Sequence, residues 1–192
     1  MGHRDRGRAR QGRDTQVPPS DTSPSQSGSS TPERGRGDLS GATAREPVFA
    51  PDVLAALRHR LGGLGIHDIQ FDQAPPVVFF GDEDRVAQAL LNLVVNARTH
   101  TPVTTPVRVG AQSADGHIVF DVTDQGPGID PALLPTVFEP FTTTRAEGAA
   151  RASGLGLTVV KAVTEAQGGR VDLVSGSGGT TVWLSFVLDP QS

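Results

Sequence analysis

Cysteine is absent from the 192-residue chain, which excludes disulfides and thiolate chemistry. Lysine occurs once, as Lys161, so cationic contact with phosphate would fall mainly to arginine. No apolar run approaches the roughly 18–20 residues of a membrane span. The basic residues at the N-terminus are not followed by the apolar stretch of a secretory signal. A cytoplasmic protein without a membrane span is the expectation. A Gly-x-Gly-x-x-Gly dinucleotide fingerprint with an acidic-ended βαβ unit is missing, and so is a Walker A loop.

Apolar residues are also scarce, at 36%, so part of the chain is not expected to join a core. Composition locates that part. Residues 1–47 hold no aromatic residue, and their only large aliphatics are Val17 and Leu39. Such a segment cannot offset roughly 1–2 kcal/mol of backbone entropy per residue, and it is expected to be disordered. Residues 48–189 suit one ordinary domain. Charge divides at the same point. Residues 1–47 carry 8 arginines and 6 acidic residues (+2), and the remainder 9 basic and 15 acidic residues (−6). Five of the arginines (Arg4, Arg6, Arg8, Arg10 and Arg13) form a short basic arm, read as a solvated tail. The acidic remainder argues against nucleic acid as a main partner.

Periodicity sketches the domain. Val53, Leu54, Leu57 and Leu61 recur at helical spacing behind Pro51. Residues 66–71 and 77–80 read as strands. Asp82 is placed to cap a helix running to about His100, where Pro102 stops it. Val86, Leu90, Leu93, Val94 and Ala97 form its core face, and Asn92, Asn96 and His100 a line on the other side. Residues 107–111 and 117–123 read as a hairpin turning at Asp115-Gly116. Residues 131–137 suggest a short helix, and a further helix is expected from about Gly156 to Gln167, capped by Gly168-Gly169. A last hairpin spans 171–174 and 181–187. Hairpins mixed with helices predict an α+β fold: a two-layer sandwich with helices on one face of a mixed, mostly antiparallel sheet.

Four short motifs stand in order on this sketch: Asn92-Leu-Val-Val-Asn96-Ala-Arg-Thr-His100-Thr-Pro102, Asp124-Gln-Gly126-Pro-Gly128-Ile129, Val137-Phe138-Glu139-Pro140-Phe141-Thr-Thr-Thr144 and Ser153-Gly154-Leu155-Gly156-Leu157. Asn96 offers a neutral oxygen on an exposed helix face, a donor type that Mg²⁺ accepts while bridging phosphates. Asp124 follows an apolar strand, and Gly126 and Gly128 let backbone approach a ligand closely. The last motif leads into a helix whose first N–H groups attract phosphate.

Together the four motifs resemble the N, G1, F and G2 boxes of bacterial histidine kinases, in the wider GHKL superfamily, from about residue 48 to 189. The resemblance implies the Bergerat ATP-binding fold, with ATP and Mg²⁺ as cofactors. It implies that Asn96 binds the metal and that Asp124 accepts from the adenine amine, with Gly126, Gly128, Ile129 and Thr180 around the base and His100 beside it. Residues 130–153 resemble the ATP lid, expected to be mobile without nucleotide, with Phe138 and Phe141 anchoring its stem by burial. Thr144 and Arg145 would approach the γ-phosphate, and Ser153, Gly154, Leu155, Gly156 and Leu157 would cradle phosphate. Two positions depart from the family pattern. Thr99 stands where Lys or Arg is usual, leaving Arg98 as the nearby phosphate candidate although it points about 100° away. Ala152 replaces the first glycine of the last box.

Asn92 bears on the reaction. GHKL hydrolases and anti-sigma-factor kinases carry Glu there as general base, and a carboxamide cannot take a proton near neutral pH. The resemblance therefore implies a histidine kinase in a two-component signalling phosphorelay, with Asn92, Asn96 and Arg145 as catalytic residues. Its γ-phosphoryl would pass to a histidine on a dimerisation domain, either a separate chain or a missing segment, and then to a response regulator. None of His3, His59, His67, His100 and His117 sits in the His-Glu-x-x-Arg-like helix of family acceptors. Activity is thus expected to need a partner. A non-catalytic nucleotide-binding or regulatory module, favoured by Thr99 and Ala152, and an anti-sigma-type serine kinase are the alternatives.

Overall fold

The computed structural model describes residues 45–142 and 156–189. The expected disordered tail before Arg45 lies outside them, as do Thr144, Arg145, Ala152, Ser153, Gly154 and Leu155.

The described chain opens with β1 (Glu46–Phe49), which runs straight into α1 (Ala50–Gly63) with Pro51 in the first helical turn. A short β2 (Ile69–Phe71) follows, then β3 (Val78–Gly81). Asp82 caps α2 (Glu83–His100), accepting from the Arg85 N–H at 3.1 Å. At the other end, Thr101 turns to extended backbone ahead of Pro102, and its hydroxyl donates to the Ala97 carbonyl at 2.7 Å.

β4 (Val107–Ala114) and β5 (His117–Asp124) form the expected hairpin. Both turn residues have positive φ, 50° at Asp115 and 73° at Gly116, as the tight primed turn of a twisted hairpin requires. The short helix anticipated at 131–137 is a single 3-10 turn, Leu134–Thr136. The chain is described again through α3 (Gly156–Ala166), β6 (Arg170–Gly176) and β7 (Gly179–Val187).

Five strands form one sheet in the order β2-β4-β5-β7-β6. β2 runs parallel to β4 and the remaining pairs are antiparallel. β1 and β3 make a separate antiparallel ribbon, tied to the main sheet through the Phe79–Leu188 bridge. The strand expected at 66–71 shrinks to its last three residues, the only ones in register with β4.

The core lies between the sheet and the helices. Ile118, Phe120 and Val122 of β5 and Val182, Leu184 and Phe186 of β7 are buried there with Val86, Leu90, Leu93, Val94 and Ala97 of α2. Phe79 joins Phe120 and Phe186 at centroid distances of 5.9 and 5.1 Å. Burying each such ring contributes about 1.5–3 kcal/mol, so this aromatic cluster pins the ribbon to the sheet. No helix among the described residues is long and apolar enough to cross a membrane.

Candidate functional site

The polar stripe of α2 is longer than the sequence line implied. Asp84, Gln88, Asn92, Asn96 and His100 repeat every four residues, and each step turns about 40° around the helix. The stripe therefore winds from the α1 side to the α3 side. At its start, Arg60 of α1 donates to Asp84 at 2.5 Å and to Gln88 Oε1 at 3.1 Å. In the middle, Gln88 donates through Nε2 to Asn92 Oδ1 at 3.2 Å. Further along, the Asn96 carboxamide packs on Gly156, the first residue of α3. A Cβ at Gly156 would stand 2.7 Å from both Asn96 Oδ1 and Nδ2, so only glycine admits the amide.

The C-terminal end of α2 meets the second motif. Thr101 Cγ2 faces Gly126, at the 2.5 Å a Cβ there would reach. Gly126 donates its N–H to Asp124 Oδ1 at 2.8 Å, and Thr180 adds a longer N–H bond at 3.3 Å. Strand alternation puts Asp124 on the same face as Ile118, Phe120 and Val122, hence on the helix-covered side of the sheet. Gly128 has φ +77° and lies so close to the Gly176 carbonyl that a Cβ would sit 2.1 Å away. The Ile129 N–H donates to Ser175 Oγ at 2.7 Å, and Ser175 shares a hydrogen bond with Thr180 Oγ1 at 2.8 Å. Asp124, Ile129, Ser175 and Thr180 thus form one connected polar set. Two backbone donors fix the carboxylate through Oδ1, and no described residue donates to Oδ2.

One helix therefore joins three motifs. Asn96 touches the start of α3, and Thr101, five residues or about 7.5 Å further along the axis, touches the loop anchored by Asp124. Thr158, in the first turn of α3, has a buried hydroxyl without a hydrogen-bond partner among the described residues. Leu157 is half-buried against the core. His100 is exposed at the end of the stripe. Among the described residues no cluster of three His, Cys, Asp or Glu could hold a metal ion. A cation at Asn96 would thus need most of its ligands from a bound phosphate compound and water, as Mg²⁺ commonly has.

Two expectations are corrected. Arg98 does not face the site: its guanidinium donates to the carbonyls of Val103 (3.2 Å), Thr105 (2.7 Å) and Asp68. It clasps the loop after α2 to the approach of β2, so three of its five N–H groups are engaged away from the site. The Thr99 hydroxyl bonds within the helix to the Val95 carbonyl at 2.8 Å. Phe141 is not an anchor by burial. It is 75% exposed with φ +65°, an unusual backbone for a bulky residue, while Phe138 is half-buried and Val137 is the buried member of that motif.

Sequence reading missed Gln88, Arg60, Thr101 and Ser175. Gln88 lies one turn before Asn92 in the same stripe and could have been found there. Arg60 and Ser175 arrive from other elements, by helix packing and by β6–β7 pairing, and carry no local signal. Two grooves of the described surface are lined by other residues. One of about 390 Å³ is lined by Leu54, Arg58 and Phe71, another of about 360 Å³ by His117, Arg170 and Val187, and neither includes Asn96 or Asp124.

Residues 81–190 match the family described as Histidine kinase-, DNA gyrase B-, and HSP90-like ATPase. Over 127 residues the chain is 39% identical to the probable sensor histidine kinase TcrY of Mycobacterium tuberculosis, covering 64% of this chain and 26% of that protein. It is 38% identical over 114 residues to the sensor histidine kinase ZraS of Salmonella typhimurium, covering 57% and 24%. The chain thus spans about a quarter of the length of the curated relatives it matches. In structure it is similar to a mycobacterial sensor histidine kinase, MprB, with a TM-score of 0.63 at 30% identity, covering 76% of this chain and 99% of that one.

Proposed function

Because the chain belongs to the histidine kinase-, DNA gyrase B- and HSP90-like ATPase family, we propose that it is the Mg-ATP-binding catalytic domain of a two-component sensor histidine kinase. The observation that carries this reading is the convergence on α2. One helix packs Asn96 against the α3 N-terminus and Thr101 against the loop fixed by Asp124. A nucleotide spanning those two contacts would present phosphate to the first and its base to the second. Similarity to sensor histidine kinases supports the same assignment.

In this reading Asp124 Oδ2 accepts from the adenine amine, with Gly126, Gly128, Ile129 and Thr180 shaping the surround and His100 at its edge. Gly156 and Leu157, with Ser153, Gly154 and Leu155 before them, offer N–H groups to phosphate. Asn96 Oδ1 would hold Mg²⁺, which when bound withdraws charge from the phosphate oxygens. Thr144 and Arg145 would complete the γ-phosphate contacts. Asn92 cannot act as general base, so water is not activated and ATP hydrolysis stays low. Positioning and charge stabilisation are the contributions the domain makes to phosphoryl transfer. The nucleophile is a histidine imidazole on a dimerisation domain, which passes the group to a response regulator, all in the cytoplasm.

The test mixes this chain with γ-labelled ATP and a protein carrying the acceptor helix. Label on the partner's histidine is the expected result, reduced by Asn96→Ala. ATP binding without transfer to any such partner would favour a non-catalytic module instead.

A further inference from the structure

The chain Asp84–Arg60–Gln88–Asn92 has a polarity that can be read atom by atom. A guanidinium only donates, so Gln88 must turn Oε1 to Arg60 Nη1, at 3.1 Å. Its Nε2 is then directed at Asn92, 3.2 Å from Oδ1. An Asn92 amide flipped the other way would set donor against donor. Oδ1 therefore points back along the helix toward Gln88, and Nδ2 is left on the polar stripe between Gln88 and Asn96 as a donor. Among the described residues nothing accepts from Nδ2. Asp84 holds the outer end of Arg60 at 2.5 Å, keeping the guanidinium across the α1–α2 junction.

We infer that Arg60 and Gln88 are positioning residues that lock Asn92 as a hydrogen-bond donor to a phosphate oxygen of the nucleotide. This rests on the nucleotide-binding reading above and deepens it. The two asparagines of the stripe then have opposite duties. Asn96 presents an oxygen suited to a cation, whereas Asn92 presents N–H to an anion and is unavailable as a metal ligand. A carboxylate at position 92 would invert that polarity, since Gln88 could satisfy one oxygen and the other would face the phosphates.

The test measures ATP and adenosine affinity of the full chain by calorimetry, in wild type, Gln88→Glu, Asn92→Ala and the double variant. Glu at 88 still accepts from Arg60 but cannot donate, so the Asn92 amide rotates. Gln88→Glu and Asn92→Ala should each weaken ATP about tenfold, as loss of one hydrogen bond to a charged group implies. Adenosine binding should be unchanged, and the double variant no weaker than Asn92→Ala. Nuclear magnetic resonance gives an independent readout. The Asn92 side-chain NH₂ signal should shift on adding ATP, not adenosine, and the shift should vanish in Gln88→Glu with the rest of the spectrum retained. Wild-type ATP affinity in Gln88→Glu, or losses that multiply in the double variant, would overturn the inference. Failure of the wild-type chain to bind ATP would instead overturn the functional reading on which it rests.

Discussion

Asp121 and Asp124 sit three residues apart on β5 and on opposite faces of the sheet. Asp121 is 6% exposed and lies over Gly110 of the neighbouring strand, with Arg108 Nη2 at 3.7 Å and the Thr123 hydroxyl at 3.4 Å. Asp124 stands at the end of the strand on the helix-covered face, held by backbone N–H groups through one oxygen with the other left over. Side-chain alternation along a strand thus gives one residue type two roles: closure of the open face, and a preset acceptor where sheet, helix and loops meet.

The comparison breaks most sharply in ligand binding. Asp124→Asn keeps an oxygen for the Gly126 N–H but replaces the ligand-facing acceptor with a donor. ATP affinity should fall about ten- to a hundredfold, as expected when a charged hydrogen-bond acceptor is lost from a site. The melting temperature should barely move. Asp121→Asn should leave ATP affinity unchanged. Equal losses from both variants in calorimetry would show that the face of the strand does not separate the two roles.

A pair of glycines sharpens the contrast. A Cβ at Gly110 would come within 2.3 Å of Asp121 Oδ1, and one at Gly156 within 2.7 Å of the Asn96 amide. Either alanine overpacks its surroundings, at about 1–3 kcal/mol of stability. Gly156→Ala should in addition displace Asn96 and reduce Mg²⁺-dependent phosphotransfer below what its remaining folded fraction explains. Gly110→Ala should lower the melting temperature alone. A loss of transfer in Gly110→Ala matching that in Gly156→Ala would refute the division.

Much of the scaffold beneath this contrast was legible in the sequence, because it rests on local rules. Asp82 as cap, the buried row Val86, Leu90, Leu93, Val94 and Ala97, and the Asp115-Gly116 turn all follow from periodicity and turn chemistry. What stayed hidden depends on partners distant in sequence. β1 is four residues long and exists through its pairing with β3, which no pattern in Glu46–Phe49 announces. Helical angle showed that Arg98 points away from the expected direction but not that carbonyls of Val103, Thr105 and Asp68 would meet it. Phe141 illustrates the opposite error, since an aromatic residue in a motif suggests burial and the backbone leaves it outside.

The smallest effect concerns pH. Burial pushes the Asp121 carboxyl above its usual value of 3.8, and Arg108, aided by Thr123, pulls only part of the way back. The folded chain therefore binds this proton more tightly than the unfolded chain. In that case stability is greatest below the unfolded value and falls as pH rises from 3.8 through the raised folded value. Asp121→Asn removes the titration and keeps an oxygen for Thr123. It should stabilise the domain slightly near neutral pH, by up to about 1 kcal/mol given the retained pull of Arg108. The gain over wild type should shrink on acidification toward pH 4. Urea denaturation at several pH values provides the comparison. A variant less stable than wild type at neutral pH would mean that the Arg108 pair outweighs the cost of burying the charge.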